Sequence, residues 1–172
     1  MPVHTASTML IRDPASVPKA RRWVRSQVAG WGVQLDDATL DAIEVVTSEL
    51  ATNAVRHTAG AMIILGVHAH PDRRRLLVEV HDGSAALPRP RVVGPDDGNG
   101  RGLFLVKHLA TGHGAELTER GKKVWAELQL PEQPLTRRQL LAHPSRALRA
   151  VVHRLGGRRR PLIHRAVLAP AS

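Results

Sequence analysis

Apolar residues recur along this chain with two different periods, and the periods divide it into helices and strands. Between Pro14 and Ala29 they fall every three or four positions, and Val17, Ala20, Val24 and Val28 share one stripe of a predicted helix. Gly30 and Gly32 end it. Asp36 stands where a helix cap is needed. The helix it opens is predicted to run to about Thr58, with Leu40, Ile43, Thr47, Leu50 and Ala54 on its apolar side. Thr8–Arg12 has the character of an edge strand, and Ala61–Ala69 is rich enough in β-branched and aliphatic residues to be a second strand. Leu76–His81 alternates, with Leu76, Val78 and Val80 facing one way and Leu77, Glu79 and His81 the other. Beyond a glycine- and proline-rich stretch, Leu103–Leu109 is predicted to be a short helix. Ala115–Thr118 and Lys123–Leu130 then form a hairpin whose inner face is Val124, Ala126, Leu128 and Leu130. This order of elements predicts an α+β domain of two layers, one mixed sheet with helices on one face.

Pro131 and Pro134 mark the boundary of that domain, which is predicted to span residues 1–130. Residues 131–172 are a basic extension, read as partly helical or disordered. Nine arginines against one acid lie there, so eight of the ten net positive charges belong to the tail and the domain itself is nearly neutral. The overall basicity is therefore a poor argument for nucleic-acid binding by the domain. The tail lacks the aromatic residues that would stack on a single strand. An acidic membrane surface or an acidic protein are the other partners such a stretch would suit, beside a merely solvated extension. The chain has no cysteine, which removes disulfides and thiolate metal sites. It has no apolar run near the length that spans a bilayer and no secretory leader, so a cytoplasmic location is expected.

Three places can carry chemistry. Glu49 and Asn53 are four apart on one helix and so share a face, close to the apolar stripe. A carboxylate and an amide held there need partners. A hydrated Mg²⁺ bridging phosphates would serve, because it takes only one or two protein oxygens. Asp82 follows a strand and precedes Gly83-Ser84, where small residues let a flat base approach and the carboxylate can accept from an exocyclic amine. Gly98-Asn99-Gly100-Arg101-Gly102 opens the short helix, and backbone N–H groups at a helix start suit phosphates. The stretch is neither a Walker loop nor a dinucleotide fingerprint. Each feature also has an ordinary reading: a polar pair on a helix, a turn aspartate, a glycine linker. His68, His70 and His81 present the same choice between a metal site across two strands and solvent-facing side chains.

Taken in order, the three features resemble a known superfamily. Glu49-Leu50-Ala51-Thr52-Asn53-Ala54-Val55-Arg56-His57 is similar to the N box of the GHKL, or Bergerat-fold, ATPases. Val80-His81-Asp82-Gly83-Ser84 resembles their first glycine box, and Gly100-Arg101-Gly102-Leu103-Phe104-Leu105-Val106 the second. The small size, the Gly-Arg-Gly-Leu stretch and Val124-Trp125-Ala126-Glu127-Leu128 resemble the stand-alone anti-sigma-factor serine/threonine kinases of the actinobacterial type.

The resemblance implies a Bergerat-type sandwich that binds ATP with Mg²⁺. It implies that Asn53 binds the metal, that Glu49 is the general base, and that Asp82 accepts from the adenine amino group with Ser84 beside it. Gly100, Arg101, Gly102 and Leu103 would hold the phosphates, and residues 85–99 would be the lid. It further implies a sigma factor or similar regulator and a STAS-type antagonist as partners, with a homodimer as a possible state. A non-catalytic, ATP-gated binding module is the alternative. Three departures stand out: Ser84 where many relatives have glycine, Gly121-Lys122-Lys123 where a Gly-x-Thr usually supplies a hydroxyl near the adenine, and no match for the family's phosphate-binding lid arginine, for which Arg101 is the candidate.

Overall fold

The computed structural model describes residues 3–58, 60–86 and 101–133, without the side chains of residues 101 and 103. All its elements belong to the unit formed by residues 1–133. Strand β1 (His4–Ile11) is followed by helices α1 (Ser16–Gly30) and α2 (Asp37–His57). Strands β2 (Met62–His70) and β3 (Arg75–Asp82) come next, joined by a turn of 3-10 helix. Helix α3 (Arg101–Leu109) precedes the hairpin β4 (Gly112–Thr118) and β5 (Gly121–Gln129). The strands lie in the order β1-β2-β3-β5-β4. The fold is the expected two-layer α+β arrangement, with the helices on one face. Every ladder is antiparallel, however, where a mixed sheet was expected. The reason is topological. β4 runs in the same direction as β3, as a crossover through one helix requires, but β5 is inserted between them and opposes both.

The local reasons for these elements are mostly those the pattern predicted. Ala20, Val24 and Val28 of α1 are fully buried, as are Ile43, Val46 and Leu50 of α2. They pack on the inner face of the sheet, which Ile63, Leu65 and Val67 of β2, Leu76, Val78 and Val80 of β3, and Ala126 and Leu128 of β5 supply. Asp36 caps α2 by accepting from the Thr39 backbone N–H at 2.8 Å. The edge strand β1 is longer than its apolar residues suggest. His4 and Thr8 on the inward face and the exposed Met9 and Ile11 break the alternation, but the whole of β1 finds partners along β2, from His4 opposite Ala69 to Ile11 opposite Met62. Backbone pairing to a neighbour extended it, which no local pattern encodes.

Glycines shape the outer face. Gly66 of β2 lies opposite Glu79 of β3. A side chain at 66 would press on the Glu79 side chain, with a Cβ only 2.9 Å from its Cγ. Glu79 therefore lies across the strand and reaches two histidines. His81 Nε2 hydrogen-bonds Glu79 Oε1 at 3.1 Å, and His68 Nε2 stands at ion-pair distance, 3.2 Å, from the same oxygen. His68 and His81 thus share a carboxylate. Among the described residues no group of three or more such side chains is arranged to hold a metal ion. Nor is any described helix long and apolar enough to cross a membrane.

Burial raises the pKa of Glu79, but the hydrogen bond from His81, the close approach of His68 and the charges of both outweigh it, and the net value is lowered from 4.5. A lowered carboxyl pKa contributes stability that is present above the unfolded value and is lost as pH falls through the folded one. Glu79→Gln is therefore expected to lower the urea midpoint at pH values above 4.5. The gap to the wild type should close as the pH is taken below that value. A gap that persists unchanged in acid would mean that Glu79 acts through packing and not through its charge.

Candidate functional site

Two clusters lie on the helix-covered side of the sheet. The first is built by α2 and α3. Glu49 and Asn53 are one turn apart on α2 and half-buried, beside the buried Leu50 and Ala54. Glu49 leans against the first turn of α3, where the residue is Gly102. A Cβ at 102 would fall on Glu49 Oε2, so a glycine is what lets the carboxylate sit there. Neither Glu49 nor Asn53 has a side-chain hydrogen bond or ion pair among the described residues. His57, one turn on, is the exposed last residue of α2.

The second cluster is built by the ends of β3 and β5. Side chains alternate along a strand, so Asp82 shares a face with Leu76, Val78 and Val80 and is only 5 % exposed. Its Oδ1 accepts from the Ser84 backbone N–H at 2.9 Å, which folds the loop back on the carboxylate. The Ser84 hydroxyl in turn accepts from the Ala86 N–H at 3.2 Å. Opposite Asp82 in the ladder is Lys122, and its Nζ donates to the same Oδ1 at 3.0 Å. Lys122 is as buried as its partner, at 3 % exposure. Asp82 Oδ2 is buried too, and it has no hydrogen-bond partner among the described residues. A buried acceptor left unmet costs about 1–3 kcal/mol. Oδ2 therefore stands ready for a donor brought by a ligand.

Gly121 fixes this pairing. Its φ is +142°, a region that side chains rarely adopt. A Cβ there would also overlap the Asp82 carbonyl oxygen and lie 2.7 Å from Gly83 Cα. The backbones of β5 and the Asp82-Gly83 turn thus approach closely, and Lys122 is delivered beside Asp82.

The structure accordingly brings Glu49 to Gly102, and Asp82 to Ser84 and Lys122. Arg101 and Leu103 are at the start of α3, as expected for a helix that opens on the glycine stretch. Gly100, the lid beyond Ala86 and the basic tail beyond Gln133 lie outside the described residues. Lys122 is the member of the site that the motif reading does not name, since it stands at the unspecified middle position of the Gly-x-Thr pattern. The signal was present in the alternation: Lys122 has the parity of Val124, Ala126 and Leu128, and so must face inward.

The two glycines make different demands. Gly121→Ala should destabilise the protein by about 1–3 kcal/mol, because both its backbone angle and the facing backbone oppose a side chain. Gly102→Ala meets only the tip of a flexible glutamate, and alanine favours a helix by about 1 kcal/mol over glycine. Its melting temperature should stay near that of the wild type while Glu49 is displaced. Thermal melts of the two variants check this; an equal loss in both would contradict it.

Residues 10–128 match the histidine kinase-like ATPase domain. No curated protein matches the chain. The match covers more than half of the 172 residues and includes every described member of both clusters. The chain belongs to the histidine kinase-like ATPase domain family.

Proposed function

We propose that this protein is an ATP-dependent serine/threonine protein kinase of the anti-sigma-factor type, acting on a STAS-type antagonist. ATP binding is what the family implies, and the chain's own residues suit it. The unmet Asp82 Oδ2 is a fit for the exocyclic amine of adenine. Glu49 and Asn53 offer one carboxylate and one amide oxygen, hard donors of the kind Mg²⁺ takes. In this reading Asn53 holds the metal, and the first turn of α3, with Gly100, Arg101, Gly102 and Leu103, holds the phosphates. Bound Mg²⁺ would neutralise phosphate charge.

The observation that carries the kinase reading is the position of Glu49. Its carboxylate is half-buried, has no cationic partner among the described residues, and lies against the glycine that opens α3. A carboxylate so placed is free to accept a proton. Glu49 would take it from the serine or threonine hydroxyl of the acceptor at the moment that oxygen attacks. Most of the remaining barrier would be lowered by positioning and charge stabilisation, as phosphoryl transfer generally requires. The partners in this proposal are a sigma factor or similar regulator and the antagonist it releases, in the cytoplasm.

The test is transfer from labelled Mg-ATP to candidate antagonist proteins, beside Glu49→Gln. The wild type should label serine or threonine. The variant should keep its ATP affinity within a few-fold and lose transfer by about 10²–10⁴-fold. ATP binding by the wild type without transfer to any acceptor would instead indicate a nucleotide-gated binding module. A melting temperature that does not respond to ATP at high concentration would remove the nucleotide reading altogether.

A further inference from the structure

Lys122 has no role in the site as proposed so far, yet it is a lysine buried to 3 % exposure beside the residue assigned to the base. Burying an ammonium and a carboxylate together is no general route to stability, since an apolar pair of the same volume does as well or better. The arrangement therefore calls for a function. Among the described residues the one acceptor Lys122 Nζ meets is Asp82 Oδ1. An ammonium carries three donor hydrogens, so two are left. The neighbouring Oδ2 is an acceptor that meets no donor among the described residues. The end of the β3–β5 ladder thus presents a donor and an acceptor side by side, within one buried pair.

Adenine carries the complementary edge. Its amino group donates at C6, and the adjacent ring nitrogen N1 accepts. In a 6-oxo purine held in the same pose both positions are inverted, with an accepting oxygen at C6 and a donating N1–H. We propose that Lys122 is a specificity-determining residue. Its Nζ donates to N1 of the purine while Asp82 Oδ2 accepts from the amino group, so the ion pair reads adenine at two points and rejects guanine and hypoxanthine. The inference rests on the reading of Asp82 as the adenine ligand and adds to it a second, direct contact made by a residue of β5. Ser84 N–H and Lys122 both bind Oδ1, which leaves Oδ2 for the amino group of the base. Gly121, by its backbone angle and close approach, keeps Lys122 in register.

The experiment is a calorimetric titration of the full chain with ATP, with 1-deaza-ATP and with ITP. In 1-deaza-ATP a C–H replaces N1 and the amino group is kept. The wild type should bind 1-deaza-ATP about 10-fold or more weakly than ATP, the effect of losing one hydrogen bond from a charged donor. ITP should be weaker still. Lys122→Met, with its fold checked by circular dichroism, should bind ATP and 1-deaza-ATP alike. Equal affinity of the wild type for ATP and 1-deaza-ATP would overturn the role of Lys122 and leave ATP binding intact. A preference for ATP that survives in Lys122→Met would also overturn it, since N1 would then be read by another group. The wild-type comparison needs no variant, so it decides the matter even if Lys122→Met fails to fold. If the wild type binds none of the three nucleotides, the nucleotide reading itself falls and this inference with it.

Discussion

The buried pair of Asp82 and Lys122 is the constraint around which this domain is arranged. Two opposite charges at the end of an aliphatic layer are tolerable only if they meet at hydrogen-bond distance and are held there. The sheet does this with an eight-pair antiparallel ladder between β3 and β5, whose last pair is Asp82 opposite Lys122. At the end of that ladder the two backbones approach so closely that only glycine fits at position 121. The apolar side chains before the pair, Val80 and Val124 among them, share its face and separate it from the centre of the core. Removing either charge alone would leave the other buried and unpaired, at a cost of about 3–5 kcal/mol. The pair is thus tied to the fold as firmly as any apolar contact, and the polar end of the core has a fixed place.

The same economy of space operates at α2. That helix carries core residues and site residues on neighbouring stripes. Ile43, Val46 and Leu50 point into the sheet, while Glu49 stands one position before Leu50 and is half-buried at the edge of the layer. A glutamate there would normally extend into water. It is held against the first turn of α3 because Gly102 has no side chain to displace it. Core packing sets the rotation of α2 and so the direction of Glu49, which makes the aliphatic stripe a determinant of the site and not only of stability.

Much of this was legible in the sequence, and the parts that were not share a physical cause. Helical and strand periodicity depend on which side of each element is buried, and that side is written in Val24, Val28, Leu76 and Val78. The cap at Asp36 is local chemistry and was equally plain. Pairing between strands is not local. The insertion of β5 between β3 and β4 left no mark in any single segment, and so the sheet was expected to be mixed when it is antiparallel throughout. The length of β1 was hidden for the same reason, since His4 to Ser7 are strand only through their pairing with β2. Glu49, Asn53 and Asp82 could be named because three motifs stand in order along the chain, although each alone also has an ordinary reading. Lys122 was overlooked because a lysine near a turn is ordinarily solvated, and only its parity with Val124 and Ala126 argued otherwise.

The two ends of the site differ in how they are held, and the difference divides their roles. Asp82 and Lys122 belong to adjacent strands, and their separation is set by a ladder that cannot slip by one residue without turning every core side chain outward. In the proposed reading the pair is positioned before any nucleotide arrives, because the ladder fixes both side chains. Glu49 and Gly102 belong to separate helices, and no backbone hydrogen bond joins α2 to α3 among the described residues. Their contact depends on side-chain packing alone. Substitutions between α2 and α3 can therefore shift the carboxylate while leaving the Asp82–Lys122 pair untouched, whereas changes at the end of the β3–β5 ladder act on that pair and on stability together. On the proposed reading, choice of nucleotide is a property of the sheet, and competence for proton transfer is a property of how two helices meet.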